Sequence, residues 1–441
     1  MELIKKIKIF DILFWLYLLM LPLMSVPRPF PLGAKVQYAD IIFIFLFFLW
    51  SLRIFRFKNI SFPSRKIIIL LSLLIVANLF SCLNSKSFSS SIVDYLGLLY
   101  LVSLFIVFAS CFQMKRMFFT GALIIFLTSL AASIIGIGSL ILYKIGKYAW
   151  ATNFLLFTPL KDSIVPFPRI RSTFLTPEMF ILFSQLGMVC GMISLESQNN
   201  PKIKRLFSIS IIVIIAAVLF SYSRSLTGFF MALSTIVLYK KNIRFAALVR
   251  ILTILVSAVL LISAIIFSIW IVYPVTLTRD VNTELMTITL RTSPDIRALL
   301  RDAAFRIALK HPFFGIGQGM FTYEVNDYLD LNAARNTIKI NDWALPLKID
   351  PHCAYFGSIA ETGFISLLLL LVLFCFIISE SMASIKEHQN SKSINIKIFL
   401  FASFLGYLLS GWFVDIFTIR QFWINMALLV CCENTMETKN D

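Results

Sequence analysis

Long apolar runs alternate with short polar gaps along nearly the whole chain. Runs near 9–24, 36–55, 67–83, 91–112, 117–142, 177–195, 206–221, 225–239, 247–273, 352–379, 396–411 and 414–432 are long enough to cross a bilayer as helices, which takes about twenty apolar residues. Two polar gaps are long: Tyr143 to Thr176, and residues 274–351. Inside the second, Ile296, Leu299, Leu300, Ala303, Ala304, Ile307 and Ala308 recur at spacings of three and four, which predicts an amphipathic helix over Asp295 to Lys310. Arg297, Arg301, Asp302, Arg306 and Lys310 occupy the rest of its surface. Pro312 then ends the helix, and Gly315-Ile-Gly-Gln-Gly319 predicts a tight, flexible turn. The pattern predicts an all-α polytopic membrane protein of about twelve transmembrane helices. It divides into residues 1–273 with nine spans, a large loop over 274–351 containing short helices, and residues 352–441 with three spans and a tail.

Composition excludes a soluble fold. Hydrophobic residues make up 59% of the chain and charged ones 14%, with a mean hydropathy of +0.86, against about 25% charged in soluble domains. The net charge of +17 would point to nucleic acid in a soluble protein, but here Lys and Arg cluster between apolar runs, as orientation signals do. With the N-terminus inside, 21 of the 40 Lys and Arg fall in cytoplasmic segments and 10 in short outer ones. The other 9 lie in the long loop, where length weakens the rule. Both termini are therefore expected in the cytoplasm and the 274–351 loop on the opposite face. Lys5, Lys6 and Lys8 precede the first run, and no small-x-small cleavage site follows it, so an uncleaved first span is expected. The seven cysteines sit mostly in apolar runs with no CxxC pair, which indicates neither a disulfide framework nor a thiolate metal site.

Candidate chemistry gathers at the outer ends of the spans. Arg224 lies in Ser221-Tyr-Ser-Arg-Ser225, a tight hairpin between two spans. It fits two readings: an arginine snorkelling to headgroups, or a fixed cation gripping an anion bidentately. Arg297, Arg301 and Arg306 are either the solvated face of the loop helix or part of the same cationic site. Of three histidines, His352 alone opens a span at its outer mouth; His388 is expected in the cytoplasm, and His311 precedes Pro312. Imidazole is the side chain best able to take a proton from a hydroxyl near neutral pH. No HxxxH or HxH spacing supports a metal site. Glu361, nine residues on, shares the broad helix face of His352, either as a supporting ionisable group or as a carboxylate hydrogen-bonded between helices. No GxxxxGK[ST] and no DxD pair is present, so neither ATP drive nor a metal-bound nucleotide sugar is indicated. No cofactor is expected.

Four stretches in order resemble the O-antigen ligase and O-antigen polymerase family of bacterial envelope enzymes: Arg169-Ile-Arg-Ser-Thr-Phe174, Ser221-Tyr-Ser-Arg-Ser225, Arg297 through His311-Pro-Phe-Phe-Gly-Ile-Gly317, and His352 followed by Glu361-Thr-Gly363. The resemblance implies a glycosyltransferase of the bacterial inner membrane with its site facing the periplasm. Its donor would be a glycan on undecaprenyl diphosphate. The acceptor would be lipid A–core for a ligase or another repeat unit for a polymerase, with membrane lipids the other partners. It implies that Arg224 and Arg297 bind the diphosphate and that His352 deprotonates the acceptor for an inverting attack without a metal. Arg171 joins them or lines the cleft, and Arg301 competes with Arg297 for its role. Cys353, Ser366 and Arg301 stand where the family pattern has other residues, which keeps a polymerase open as the alternative to a ligase, the reading that the histidine motif favours. A transporter or glycan flippase also has about twelve spans, but usually gathers its charges and broken helices near the midplane. Here they gather at the outer mouth, so the enzyme is the expectation.

Overall fold

The computed structural model describes residues 2–24, 36–56, 62–158, 167–239, 296–329, 351–387 and 393–437. The ninth apolar run at 247–273, the loop stretches 274–295 and 330–350, and His388 lie outside them. Along the described chain come α1 (Glu2–Met20), α2 (Tyr38–Arg56), α3 (Arg65–Leu83), α4 (Phe88–Phe112), α5 (Lys115–Lys144) and α6 (Tyr148–Ala151). Two strands follow, β1 (Leu155–Thr158) and β2 (Phe167–Ile170), then α7 (Pro177–Ser197), α8 (Pro201–Leu219) and α9 (Leu226–Tyr239). The rest comprises α10 (Ile296–Lys310), α11 (Phe321–Glu324), a 3₁₀ turn at Val325–Asp327, α12 (Ala354–Glu387), α13 (Ser393–Ser410) and α14 (Arg420–Glu437). The protein is mostly helical, and α3, α4, α5, α7 and α12 are each long and apolar enough to cross a membrane.

The surfaces are inverted relative to a water-soluble protein. Ile44, Phe45 and Phe48 on α2 are 65%, 58% and 60% exposed, a row of large apolar groups that only lipid solvates cheaply. Polar groups point inward instead. Gln185 of α7 is buried and donates to the Ser403 carbonyl of α13 at 2.8 Å, the kind of interhelical hydrogen bond that holds helices together in lipid. Small residues let backbones approach. A Cβ on Gly228 of α9 would lie 2.2 Å from the Gly406 carbonyl oxygen of α13, and one on Gly187 of α7 would lie 2.1 Å from Ser129 Cβ of α5. These pairs explain why α9 packs on α13 and α5 on α7. Arg420, at the start of α14, belongs to a part-buried knot: it donates to Asp40 (Nε to Oδ1, 2.7 Å) and to Gln37 (3.0 Å). Tyr100 receives from Arg420 Nε at 3.2 Å and meets Tyr17 at 3.1 Å, which ties α14 to α2, α4 and α1.

Two features depart from the all-helical expectation. β1 and β2 pair antiparallel, with Leu155 opposite Ile170 and Thr158 opposite Phe167. The first long gap thus holds a small sheet as well as a helix. Its anchor is Ile170, fully buried against Gly136 of α5, where a Cβ would come within 2.5 Å of Ile170 Cγ2. Because successive strand residues face opposite ways, anchoring Ile170 turns its neighbours Arg169 and Arg171 away from α5. The second departure is in α12, which breaks at Gly363 (φ 76°, ψ 179°). The Ala360 and Glu361 carbonyls accept from Ile316 N (3.1 Å) and Gly317 N (2.9 Å), and Phe364 N donates to Pro312 O at 2.7 Å. The glycine turn expected to be flexible is therefore hydrogen-bonded into the helix break, which gives backbone groups freed by the break new partners.

Candidate active site

The site is built where segments distant in sequence are stitched together at one end of the bundle. Strand β2 meets the turn after α8 through Ile170 N to Phe220 O (3.2 Å) and Arg169 Nε to Ser221 O (3.1 Å). That turn meets the end of α13 through Ser410 Oγ to Ser225 O (3.4 Å). The next residue, Gly411, accepts from Ala354 N at 2.8 Å, two positions after His352. Trp412 then receives the Arg301 Nη2 hydrogen at its carbonyl oxygen (2.7 Å), and the guanidinium lies 5.8 Å from the centre of its ring. Hydrogen bonds thus link, segment by segment, the parts of the chain that carry Arg169, Arg171, Arg224, Arg301 and His352, although these span more than 180 residues of sequence.

Backbone geometry singles out the same three segments. Among the described residues, three non-glycines have φ in the left-handed region: Ser172 (52°), Tyr222 (44°) and His352 (50°). They sit beside Arg171, two before Arg224, and at the candidate base itself. Each costs about 1–2 kcal/mol relative to the right-handed region, and such strain collects where side-chain aim matters more than stability. In Ser221-Tyr-Ser-Arg-Ser225 all three serines are buried, Tyr222 is 52% exposed and Arg224 is half-buried. The turn is closed by the Arg224 carbonyl, which accepts from Thr227 N at 3.1 Å and from its hydroxyl at 2.8 Å.

The remaining candidates separate by environment. Arg171 gives Nη2 to the Asn153 carbonyl at 3.1 Å, while its Nε is buried and meets no hydrogen-bond acceptor among the described residues. Arg297 and Arg301 stand one turn apart on α10 and serve different neighbours. Arg297 lies within electrostatic reach of Glu178, on the side of Arg169 and the 221–225 turn. Arg301 is committed to Trp412 and acts on Cys353, next to His352. Cys353 is fully buried, so its sulfur is not presented as a nucleophile. Glu361 accepts from Gly319 N (2.9 Å) and Phe321 N (3.2 Å), one on each carboxylate oxygen. Its side chain is engaged in holding the glycine turn. Nearby, Lys86 pairs with buried Glu324 at 3.0 Å, and that pairing holds the ammonium above its usual range.

Sequence reasoning missed Glu178, Trp412 and Asp415. Glu178 is the second residue of α7, after the Thr176 cap, whose hydroxyl accepts from Met179 N at 3.3 Å. It accepts from Ser223 Oγ (2.9 Å) and pairs with Arg169 Nη2 (3.4 Å). An acid at a helix start reads from sequence as ordinary support for the helix dipole, and only the fold brings it to the arginines. Asp415 caps the turn before α14 by accepting from Phe417 N at 3.1 Å, and its charge is felt at Cys353. The apolar run over 414–432 hid Asp415, because α14 begins only at Arg420, and Trp412 fell in the two-residue gap before that run.

A search among curated proteins finds no match. A family profile described as O-Antigen ligase matches residues 209–371, a little over a third of the chain. The matched stretch contains Arg224, Arg297, Arg301, His352 and Glu361, and it ends short of the Trp412–Asp415 turn. From residue 209 to residue 371 the chain therefore carries a domain similar to the O-antigen ligase family.

Proposed function

We propose that the protein is a glycosyltransferase of the bacterial inner membrane, with about twelve spans, both termini in the cytoplasm and its site facing the periplasm. It moves a glycan from undecaprenyl diphosphate to lipid A–core, as an O-antigen ligase. The observation that carries this reading is the convergence of Arg169, Arg171, Arg224 and the Arg297 turn of α10 on the surface that ends at His352. Several guanidinium groups around one half-buried site match a diphosphate, whose paired oxygens accept bidentate hydrogen bonds.

In this reading Arg224 and Arg297 bind the diphosphate, with Arg171 beside them and Arg301 steadying the Trp412 turn. His352 takes the proton of the acceptor hydroxyl, and that oxygen attacks the anomeric carbon from the face opposite the leaving group. The carbon–oxygen bond to phosphate breaks, and the arginines stabilise the charge that develops on the departing diphosphate. The anomeric configuration inverts. Positive charge is supplied by side chains already present, so no step is routed through a metal. Glu361 supports the site through the glycine turn and does not touch the reacting atoms.

Deletion of the gene followed by a glycolipid gel tests the reading. Loss of core-attached glycan, with long polymer accumulating on its lipid carrier, is the ligase outcome. Core capped by single repeats identifies a polymerase of the same family. An unchanged glycolipid pattern overturns both.

A further inference from the structure

Glu178 is the acidic side chain that faces the cationic segments of β2 and the 221–225 turn, and its contacts form a closed ring. Its Oε1 accepts from Ser223 Oγ at 2.9 Å and lies 3.4 Å from Arg169 Nη2; Arg169 Nε in turn donates to the Ser221 carbonyl at 3.1 Å. The ring therefore returns to the same turn at Ser221, two residues from where it left at Ser223, the residue directly before Arg224. The base of the ring is rigid. Thr176 caps α7, Pro177 fixes its first turn, and Ile181 to Leu186 behind it are buried without a break. The two charged side chains are 18% and 20% exposed, where a hydrogen-bonded pair is stronger than in water and truncation of one partner leaves the other stranded.

We propose that Glu178 is a positioning residue: it pins the Ser221–Ser225 turn to the strand that carries Arg169 and thereby sets where Arg224 sits in the anion site. The physical need is plain. Strand β2, the 221–225 turn and the first turn of α10 all carry arginine, and like charges brought together repel. One carboxylate placed between the first two, and within reach of Arg297, holds them together before any anion arrives. It does so without competing as a base, because its contacting oxygen is already shared between a guanidinium and a hydroxyl. The inference rests on the reading of the site as a diphosphate site.

The test uses the full chain in nanodiscs with Glu178→Ala, Glu178→Gln, Ser223→Ala and the double variant Glu178→Ala/Ser223→Ala. Two readouts are taken. The first is kcat and KM for an undecaprenyl-diphosphate-linked glycan. The second is the distance distribution between spin labels on Leu156→Cys and Tyr222→Cys, both exposed positions. The labels are placed in a Cys375→Ser background, since the other six cysteines are buried. Glu178→Ala is expected to raise KM about tenfold, the effect of losing one charge-assisted hydrogen bond, and to broaden the distance distribution. Ser223→Ala shifts both in the same direction, and the double variant is no worse than Glu178→Ala, because both changes open one ring. Glu178→Gln keeps a carbonyl oxygen for Ser223 but removes the charge that holds the arginines together, so its KM and distribution fall between those of the parent and of Glu178→Ala. A parent-like distribution in Glu178→Ala, or effects of Glu178 and Ser223 that simply multiply, overturns the proposal. Should Glu178→Ala fail to fold, Ser223→Ala and Glu178→Gln still decide it by the same two readouts. A broadened distribution together with no transfer from the lipid diphosphate by the parent chain sinks the diphosphate reading, while the ring still holds the turn.

Discussion

At the scale of single residues, the arginines are told apart by what they already hold. Arg301 gives one Nη hydrogen to the Trp412 carbonyl and lies near its indole ring, whereas Arg297 lies within electrostatic reach of Glu178. Arg297→Lys is therefore expected to raise KM for the lipid diphosphate by roughly ten- to a hundredfold, since an ammonium does not reproduce a bidentate fork. Arg301→Lys acts instead through the Trp412 turn, lowering thermal stability in detergent with a smaller change in KM. Kinetics on the two variants that show the reverse order would assign the diphosphate to Arg301. Glu361 makes a different prediction. Both its oxygens accept backbone N–H groups, so Glu361→Gln sets an amide NH₂ against one of those donors. The cost is about 1–3 kcal/mol, read as a lowered Tm and as proteolysis within 311–329. An unchanged Tm would show that the carboxylate is not what holds the turn. The sequence already weighed Glu361 as either a functional ionisable group or a hydrogen-bonded tie between helices, and its contacts favour the tie.

At the scale of elements, apolar periodicity carried most of the fold. Eleven of the twelve apolar runs overlap helices, the ninth lying outside the described residues, and the loop helix expected over 295–310 is α10 at 296–310. What periodicity could not reveal are features set by contacts between distant segments. Leu155-Leu-Phe-Thr158 has no strand partner until Phe167-Pro-Arg-Ile170 lies beside it. Nothing local marks Gly363 as the point where α12 opens to receive the glycine turn. The turn itself was legible as a turn, but its rigidity comes from Ala360, Glu361, Asn84 and Ser81, which bind its backbone or that of the break. Gly363→Ala is expected to be among the most damaging single changes in the chain. Its Cβ would lie 2.2 Å from the Phe313 carbonyl oxygen, at a φ of 76°. The left-handed conformation alone costs about 1 kcal/mol or more, before the clash. Detergent-solubilised yield and Tm should both fall. A fully stable Gly363→Ala protein would contradict the helix break.

At the scale of the whole molecule, the fold separates two tasks. Close helix packing through Gly187 and Gly228, with the Arg420–Asp40 knot, holds the bundle together. Turns and a two-stranded sheet at one end carry the residues of the proposed site, in line with the general tendency of functional residues to sit on loops fixed by a rigid scaffold. The strained residues Ser172, Tyr222 and His352 all lie in those end segments and none in a long helix. The central claim is that His352 serves as the base in transfer of a glycan from a lipid diphosphate. It is tested most directly with purified protein, a defined undecaprenyl-diphosphate-linked glycan and lipid A–core, following product glycolipid and released undecaprenyl diphosphate together. The account predicts transfer by the parent chain, and in His352→Ala a rate lower by about 10²–10⁴-fold, the usual contribution of general acid–base catalysis, with donor binding retained. Transfer by His352→Ala at the parent rate would contradict it.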